Sequence, residues 1–317
     1  MNKRLIITLL NIPNIGRKSV QYLLSAITFE SLDANEILGK LKEANCINKK
    51  IIVPEISDII SAKVEADRII MNCEELDINI TTVFDDNFPY RCKSIKDYPV
   101  LLYYKGDISS LNSERVVSIV GSRDVSEHTL SVAERLGGIF TDKGFVIASG
   151  LAKGCDTSVH YGCIKSAGIT VAVMPCGLDC TYPKENKKLS ELILVRDGCL
   201  VSEYPPGAEI NRGNFIDRDR LLAAFSDALI VVSTKEAGGT MHTVKFAEGY
   251  SRKIACYRPD NRLFESVEYS GNRKLFNEKD VTGISNAKDI ECFIDYIKNG
   301  LKVYLDYDCK GEQLKLF

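Results

Sequence analysis

The sequence predicts an α/β fold, a mostly parallel sheet with helices on both faces, preceded by a small helical domain. Three observations predict it. From Val116 onward, short continuous apolar runs alternate with amphipathic segments of helix length, the pattern of strands buried on both faces. Glycine-rich turns directly follow most of those runs, where a strand passes into a helix. Before about residue 79, apolar residues recur instead at helical spacing. The domains read as 1–79, helical; 80–290, the sheet; and 291–317, a closing helix and tail.

Taken in order, "RLIITLLNIPNIG", "SVQYLLSAI" and "ISDIISAKVEADRIIMN" are the helical segments. "IPNIGRKSVQYLL" sets an apolar-glycine turn between two of them, as in SAM-like or helix-hairpin-helix units. Backbone N–H groups there, beside Arg17 and Lys18, could meet a phosphate. An ordinary tight turn in a helical bundle explains the same residues. Between Ile80 and Asp107 the helical period is lost, and "PVLLYYKG" reads as an edge strand. The core strands are predicted at Val116–Val120, Phe145–Ala148, Thr170–Met174, Leu200–Glu203, Ala228–Val232 and Ile254–Tyr257. "DIECFIDYIKNG" is the closing helix.

Composition narrows the function. With 45% hydrophobic and 26% charged residues in 317, the chain is globular rather than disordered or fibrous. Its formal charge of -2 means that a polyanion must be met by a local basic patch. Many of the 11 cysteines sit in apolar runs and read as small core residues in a reducing compartment. Cys176 and Cys180 have the spacing of half a metal site, but no second pair follows and the three histidines are scattered, so no metal is expected. The first apolar run is too short for a secretory signal and no later run is long enough to span a bilayer. A soluble, cytoplasmic protein is expected.

The chemistry lies in the turns. "SIVGSRDVS" places Gly121, Ser122 and Arg123 after one strand, and "VIASGLAKGCD" places Gly150, Lys153, Gly154 and Asp156 after the next. "VAVMPCGLDCTYP" and "LIVVSTKEAGGTMHT" follow two more, the latter bringing Gly239, Thr240 and Thr243. In an open parallel sheet these turns share the carboxyl edge, where ligands bind. Glycine lets N–H groups approach a phosphate, and helix N-termini favour negative charge. An anionic or nucleotide-like ligand is expected over bare structural turns. No Walker A or dinucleotide fingerprint occurs, so ordinary ATP or NAD is not expected. In "NRGNFIDRDRLLAAFS", Arg212, Arg218 and Arg220 surround Phe215. Arginine forks suit phosphate and an aromatic face suits an unpaired base. A salt-bridged helix start is the other account of them. Within "SGLAKGCDTSVH", Asp156 is expected to cap the next helix and His160 to lie outside the site. No nucleophile elbow appears, and a lone His242 makes no general base, so no catalytic residue is expected.

Seven ordered blocks carry a resemblance: "DDNFPYRCKSIKDYPVLLYYKGD", "SIVGSRDVS", "IASGLAKGCDTSVHYGCI", "CGLDCTYPKENKKL", "SEYPPGAEINRGNFIDRDRLLAAFS", "EAGGTMHTVKFAEGYSRKIACYRP" and "GNRKLFNEKDVTGI". They span about residues 80–285 and resemble the DNA-processing protein A family, DprA/Smf. The resemblance implies an extended Rossmann-like sheet after a small helical domain. It implies a recombination mediator that binds and protects single-stranded DNA and helps load the RecA recombinase, in natural transformation or recombination. It further implies a homodimer through the Rossmann-like domain, no cofactor and no enzymatic activity. The family's DNA-contacting positions fall on Arg123, on Gly150–Asp156, on Arg218 and Arg220, and on Gly238–Thr243. With the residue reading, the candidate set is Gly121, Ser122, Arg123, Gly150, Lys153, Gly154, Phe215, Arg218, Arg220, Gly239, Thr240 and Thr243.

The chain departs from the family at Asp219, where asparagine is usual, at Gly238-Gly239-Thr240 in place of Ser-Gly-Ser, and at His242 in place of an apolar residue. A C-terminal winged-helix domain, common in relatives, is expected to be missing. The final "QLKLF" resembles a peptide that docks on the DNA polymerase sliding clamp through Gln313, Leu314, Leu316 and Phe317; a tail folded on its own domain is the alternative. Other functions also fit a glycine-turn crevice: a nucleotide-derivative sensor, a LOG-like phosphoribohydrolase, a phage-defence variant, or an interaction protein with a decayed pocket. The LOG turn needs a glutamate about where this chain has Thr243.

Overall fold

A computed structural model of the chain describes residues 3–299. Four helices come first: α1 (Lys3–Asn11), α2 (Arg17–Ala26), α3 (Ala34–Ile47) and α4 (Ile56–Glu75). Then follow β1 (Asn79–Thr82), α5 (Tyr90–Lys93), β2 (Leu101–Gly106) and β3 (Val116–Val120). Next come α6 (Glu127–Asp142), β4 (Val146–Ser149), α7 (Cys155–Lys165), β5 (Thr170–Val173), α8 (Lys187–Val195) and β6 (Cys199–Ser202). The last elements are α9 (Arg212–Phe225), β7 (Ala228–Val231), α10 (Thr240–Gly249), β8 (Lys253–Tyr257), α11 (Asn261–Phe264), α12 (Ser270–Glu278), β9 (Thr282–Ile284) and α13 (Ala287–Asn299).

The strands form one sheet in the order β1-β2-β6-β5-β4-β3-β7-β8-β9. From β6 through to β9 every pairing is parallel, and β1 and β2 add an antiparallel flank. Each core strand begins and ends within a residue of its predicted place, because a strand buried on both faces is apolar throughout and cannot be confused with its polar connections. β1 and β9 were not predicted. They are four and three residues long, too short for alternation to show. "PVLLYYKG" is corrected from an edge strand to an inner one: β1 pairs along its outer side, and Leu101, Leu102 and Tyr103 are all buried.

Side-chain alternation sorts the layers. Val117, Ile119, Ile147, Ile230 and Ala255 point to one face, where they meet Phe140 of α6, Val159 of α7 and Phe293 of α13. Farther along that face, Tyr103, Ala172 and Leu200 meet α8 and the N-terminal helices through Ile6, Leu9, Val20 and Ile59. The opposite face sets Val116, Val146, Val171, Val201 and Val231 against α9, α10 and α12 through Leu221, Phe225, Val244 and Leu275. Each such side chain contributes about 1.5–3 kcal/mol on burial. The N-terminal helices thus share one apolar cluster with the sheet, and residue 290 falls inside α13 rather than between elements. No described helix is long and apolar enough to cross a membrane.

Because β3 to β8 run parallel, the turns after β3, β4, β5, β6 and β7 lie along one edge. Chain order runs from β3 outward in both directions, through β4, β5 and β6 on one side and β7 and β8 on the other. That reversal opens a crevice at the carboxyl ends of the central strands.

Candidate nucleic-acid interface

Three of those strand ends and the start of α9 enclose a cavity of about 70 Å³. Arg123 follows β3; Gly150, Ala152 and Lys153 follow β4; Pro175, Tyr182 and Pro183 follow β5; Phe215 and Arg218 come from α9. Asn214 seats the helix: its Nδ2 donates to Pro175 O and Glu209 O, each at 3.0 Å, while Asn211 caps the helix start.

Glycine is required at two points of the β4 loop. Gly154 has φ +79°, and a Cβ there would stand 2.4 Å from Arg123 O. At Gly150 a Cβ would stand 1.3 Å from Arg218 Nη1, so the missing side chain is what lets the guanidinium lie against the loop. Asp156 has a different task from the one expected of it. Gly154, not Asp156, occupies the cap position of α7. Asp156 Oδ2 accepts from Gly150 N at 3.2 Å and Ala152 N at 3.3 Å. An internal carboxylate therefore satisfies loop N–H groups that the glycine pattern suggested for a ligand. Ser122 is similarly engaged: its N and Oγ both donate to Ser233 O, tying the β3 turn to the end of β7. Gly121 stands over Cys155, whose Sγ would lie 2.5 Å from an added Cβ.

What faces the cavity is side-chain charge and aromatic surface. The exposed Arg123 guanidinium lies 5.2 Å from the centre of the Phe215 ring, and Tyr182 meets Phe215 edge to face at 5.3 Å. Lys153 Nζ is paired with Glu185 at 2.6 Å, both well exposed. Arg218 is only 5% exposed. Its Nε stands 3.2 Å from Asp219 Oδ1 and its Nη1 3.8 Å from Asp156 Oδ2. The first contact is misdirected and the second long, so neither nitrogen has a hydrogen-bond partner among the described residues. Burial pushes the Asp219 carboxyl up to about 6 against the pull of Arg218, with Asp156 adding to the rise. Burial likewise raises Asp156, again opposed by Arg218.

The remaining candidates lie elsewhere. Arg220 is 1% exposed and faces away from the cavity, with Nη1 donating to Asp97 O at 2.5 Å and Nη2 to Glu203. Arg17 joins the same Glu203 at 3.3 Å, which engages it in an internal ion pair at the helical turn. Gly239 and Thr240 open α10 beyond β7 and do not line the cavity, and Thr243 is buried. His160 is fully buried, shares a 2.7 Å hydrogen bond with Thr170, and is held by burial down to about 3, hence neutral. Tyr182, Pro175 and Pro183 were missed by sequence reasoning. "MPCGLDCTYP" was read as a glycine turn following a strand, although Tyr182 offers the aromatic signal already recognised in Phe215. The residues of "QLKLF" lie outside the described residues.

A family model for DNA recombination-mediator protein A matches residues 79–295. The DNA processing protein DprA of Bacillus subtilis is 31% identical over 223 residues, 70% of this chain and 73% of that one. An X-ray structure of DNA processing protein A from Streptococcus pneumoniae superposes with a TM-score of 0.73 at 24% identity, over 92% of this chain and 97% of that one. A structure of DNA processing protein A from Helicobacter pylori, reported for its single-stranded DNA binding mode, superposes with a TM-score of 0.60 at 26% identity, over 70% and 97%. A match spanning the whole sheet and the cavity at its edge places this chain in the DNA recombination-mediator protein A family, the DprA/Smf proteins.

Proposed function

We propose that the cavity over β3, β4 and β5 binds single-stranded DNA, and that the chain serves as a mediator delivering that strand to a RecA-type recombinase. The observation that carries this is Arg218, buried in the cavity wall with two guanidinium nitrogens that have no hydrogen bond among the described residues. A buried cation in that condition favours an incoming anion with good acceptor geometry. Arg123 at the rim supplies a second positive charge, and Phe215 with Tyr182 supplies a face for a base. Stacking on that face requires the base to be unpaired, which selects a single strand over a duplex. The binding mode reported for the Helicobacter pylori relative supports the same ligand class.

The chain acts on this reading as a binding protein and not as an enzyme: its buried acids, Asp156 and Asp219, face Arg218. Release of free base from nucleoside monophosphates would count against it. Fluorescence anisotropy with a labelled oligo-dT tests the binding. Affinity is expected to fall as salt rises, and Arg123→Glu to lose tenfold or more while lowering the salt slope by about 0.7. Unchanged binding by that variant would put the strand elsewhere. The mediator half is tested by the lag of RecA ATPase on DNA coated with single-strand-binding protein. A lag that the protein does not shorten removes that half alone. A homodimer through the sheet belongs to the same reading, and sedimentation reports on it.

A further inference from the structure

Arg218 is flanked by two carboxylates, not one. Asp219 lies 3.2 Å from its Nε and Asp156 3.8 Å from its Nη1. Both acids are buried: Asp219 lies on α9, which lines the cavity, and Asp156 in the first turn of α7, just after the β4 loop that lines it. Asp156 has a second role, since its Oδ2 takes the Gly150 and Ala152 N–H groups. Among the described residues Asp219 accepts no hydrogen bond and forms an ion pair with Arg218. With both acids ionised, one guanidinium would balance two buried negative charges. That arrangement is costly in a region of low dielectric. It becomes more so when a phosphate enters beside it.

We propose that Asp219 is an internal counter-anion for Arg218 that takes up a proton when a backbone phosphate enters the cavity, so that strand binding is linked to protonation. This rests on the cavity being the single-strand site. The entering phosphate replaces Asp219 at Arg218 Nε, and the displaced carboxyl lowers its charge by binding a proton from solvent. Asp156 keeps its loop N–H groups throughout. The groups facing Asp219 are Arg218 on its own helix, Asp156 from α7, His242 from α10 and Arg123 from the β3 turn. Arg218, His242 and Arg123 favour the ionised carboxyl; burial and Asp156 favour the protonated one. The free carboxyl titrates near 6, and a neighbouring phosphate shifts it further up. The complex then holds more protons than the free protein above that pH. Affinity therefore rises as pH falls from about 8 toward about 6 and levels off below, by at most about tenfold per pH unit for one proton.

The test is oligo-dT anisotropy at constant ionic strength across that range, with wild type, Asp219→Asn and His242→Gln. Asp219→Asn is expected to bind several-fold more tightly at the alkaline end and to flatten the pH dependence, while His242→Gln keeps it. Calorimetry of the wild-type complex in two buffers of different ionisation heat reports the proton directly, and uptake approaching one proton is expected. A wild-type affinity that does not change with pH, a slope retained in Asp219→Asn, or zero proton uptake overturns the proposal. A wild-type protein that binds no oligo-dT at any pH overturns the binding reading beneath it instead.

Discussion

Arg218 and Arg220 stand two residues apart on α9, both buried, and on opposite sides of the helix. Arg220 closes a network: Glu203 takes its Nη2, Asp97 O takes its Nη1, Arg17 shares the glutamate, and Tyr250 donates to Asp97 Oδ1 at 2.5 Å. Arg218 has carboxylates nearby and, among the described residues, no hydrogen bond from Nε or Nη1. Burial alone therefore does not separate a structural arginine from a ligand-binding one. The terminal nitrogens do: Arg220 has both of its own hydrogen-bonded and leaves only Nε without a partner among the described residues, whereas Arg218 lacks a bond at Nη1 as well as Nε, and a fork left open at its end is what a ligand can complete.

The sharpest way to break the contrast is to remove each guanidinium. Arg220→Met leaves Glu203, its side chain 12% exposed, without its main cation, and is expected to cost about 3–5 kcal/mol of stability. Where the variant is still folded, its oligonucleotide affinity stays within about twofold of wild type. Arg218→Met should cost less, about 1–3 kcal/mol, since an acid beside it can take a proton, yet lose binding tenfold or more. Urea denaturation and anisotropy on the same samples decide it. Equal stability losses with equal binding losses would mean that both arginines belong to one network.

The next effect is smaller and comes through the backbone. Gly150→Ala puts a methyl group where Arg218 Nη1 now lies. The obstructing atoms are the end of the long Arg218 side chain, which can move, and Asp156 Oδ2, 2.7 Å from the added methyl, so the stability cost is about 1–3 kcal/mol. The displaced guanidinium should cost about tenfold in affinity. Normal affinity in this variant would show that Arg218 need not sit against the loop to meet the strand.

These positions also mark how far the sequence could be read. Strand ends, and with them Arg123, Gly150, Lys153, Phe215 and Arg218, lie around one cavity, because parallel topology fixes which turns share an edge. Grouping Arg220 with Arg218 was an error that helical geometry exposes, since residues two apart do not share a face. Asp156 could not have been placed from sequence. An aspartate after a glycine turn serves equally as a cap or as an acceptor for the turn it follows, and the choice depends on Gly154 at φ +79°. The glycine turns themselves misled in part. Several are there for close packing, as at Gly121 against Cys155, rather than to offer amides to an anion.

The smallest expected effect is at the rim, where Lys153 and Glu185 form an ion pair with side chains 57% and 62% exposed. It repeats the Arg218–Asp219 arrangement, a cavity cation facing an internal carboxylate, but in water. Solvent already screens this pair, so breaking it frees Lys153 at little cost. Glu185→Gln should raise oligonucleotide affinity by about two- to fivefold at low salt, and by nothing measurable near 1 M, where screening acts within about 3 Å. Asp219→Asn differs in kind: its carboxylate is shielded from solvent ions, so its gain should persist as salt rises. Two salt titrations thus separate a surface competitor from a buried one. If both gains vanish together with salt, Asp219 is exchanging with solvent as freely as Glu185, and the interior of the cavity is wetter than its burial implies.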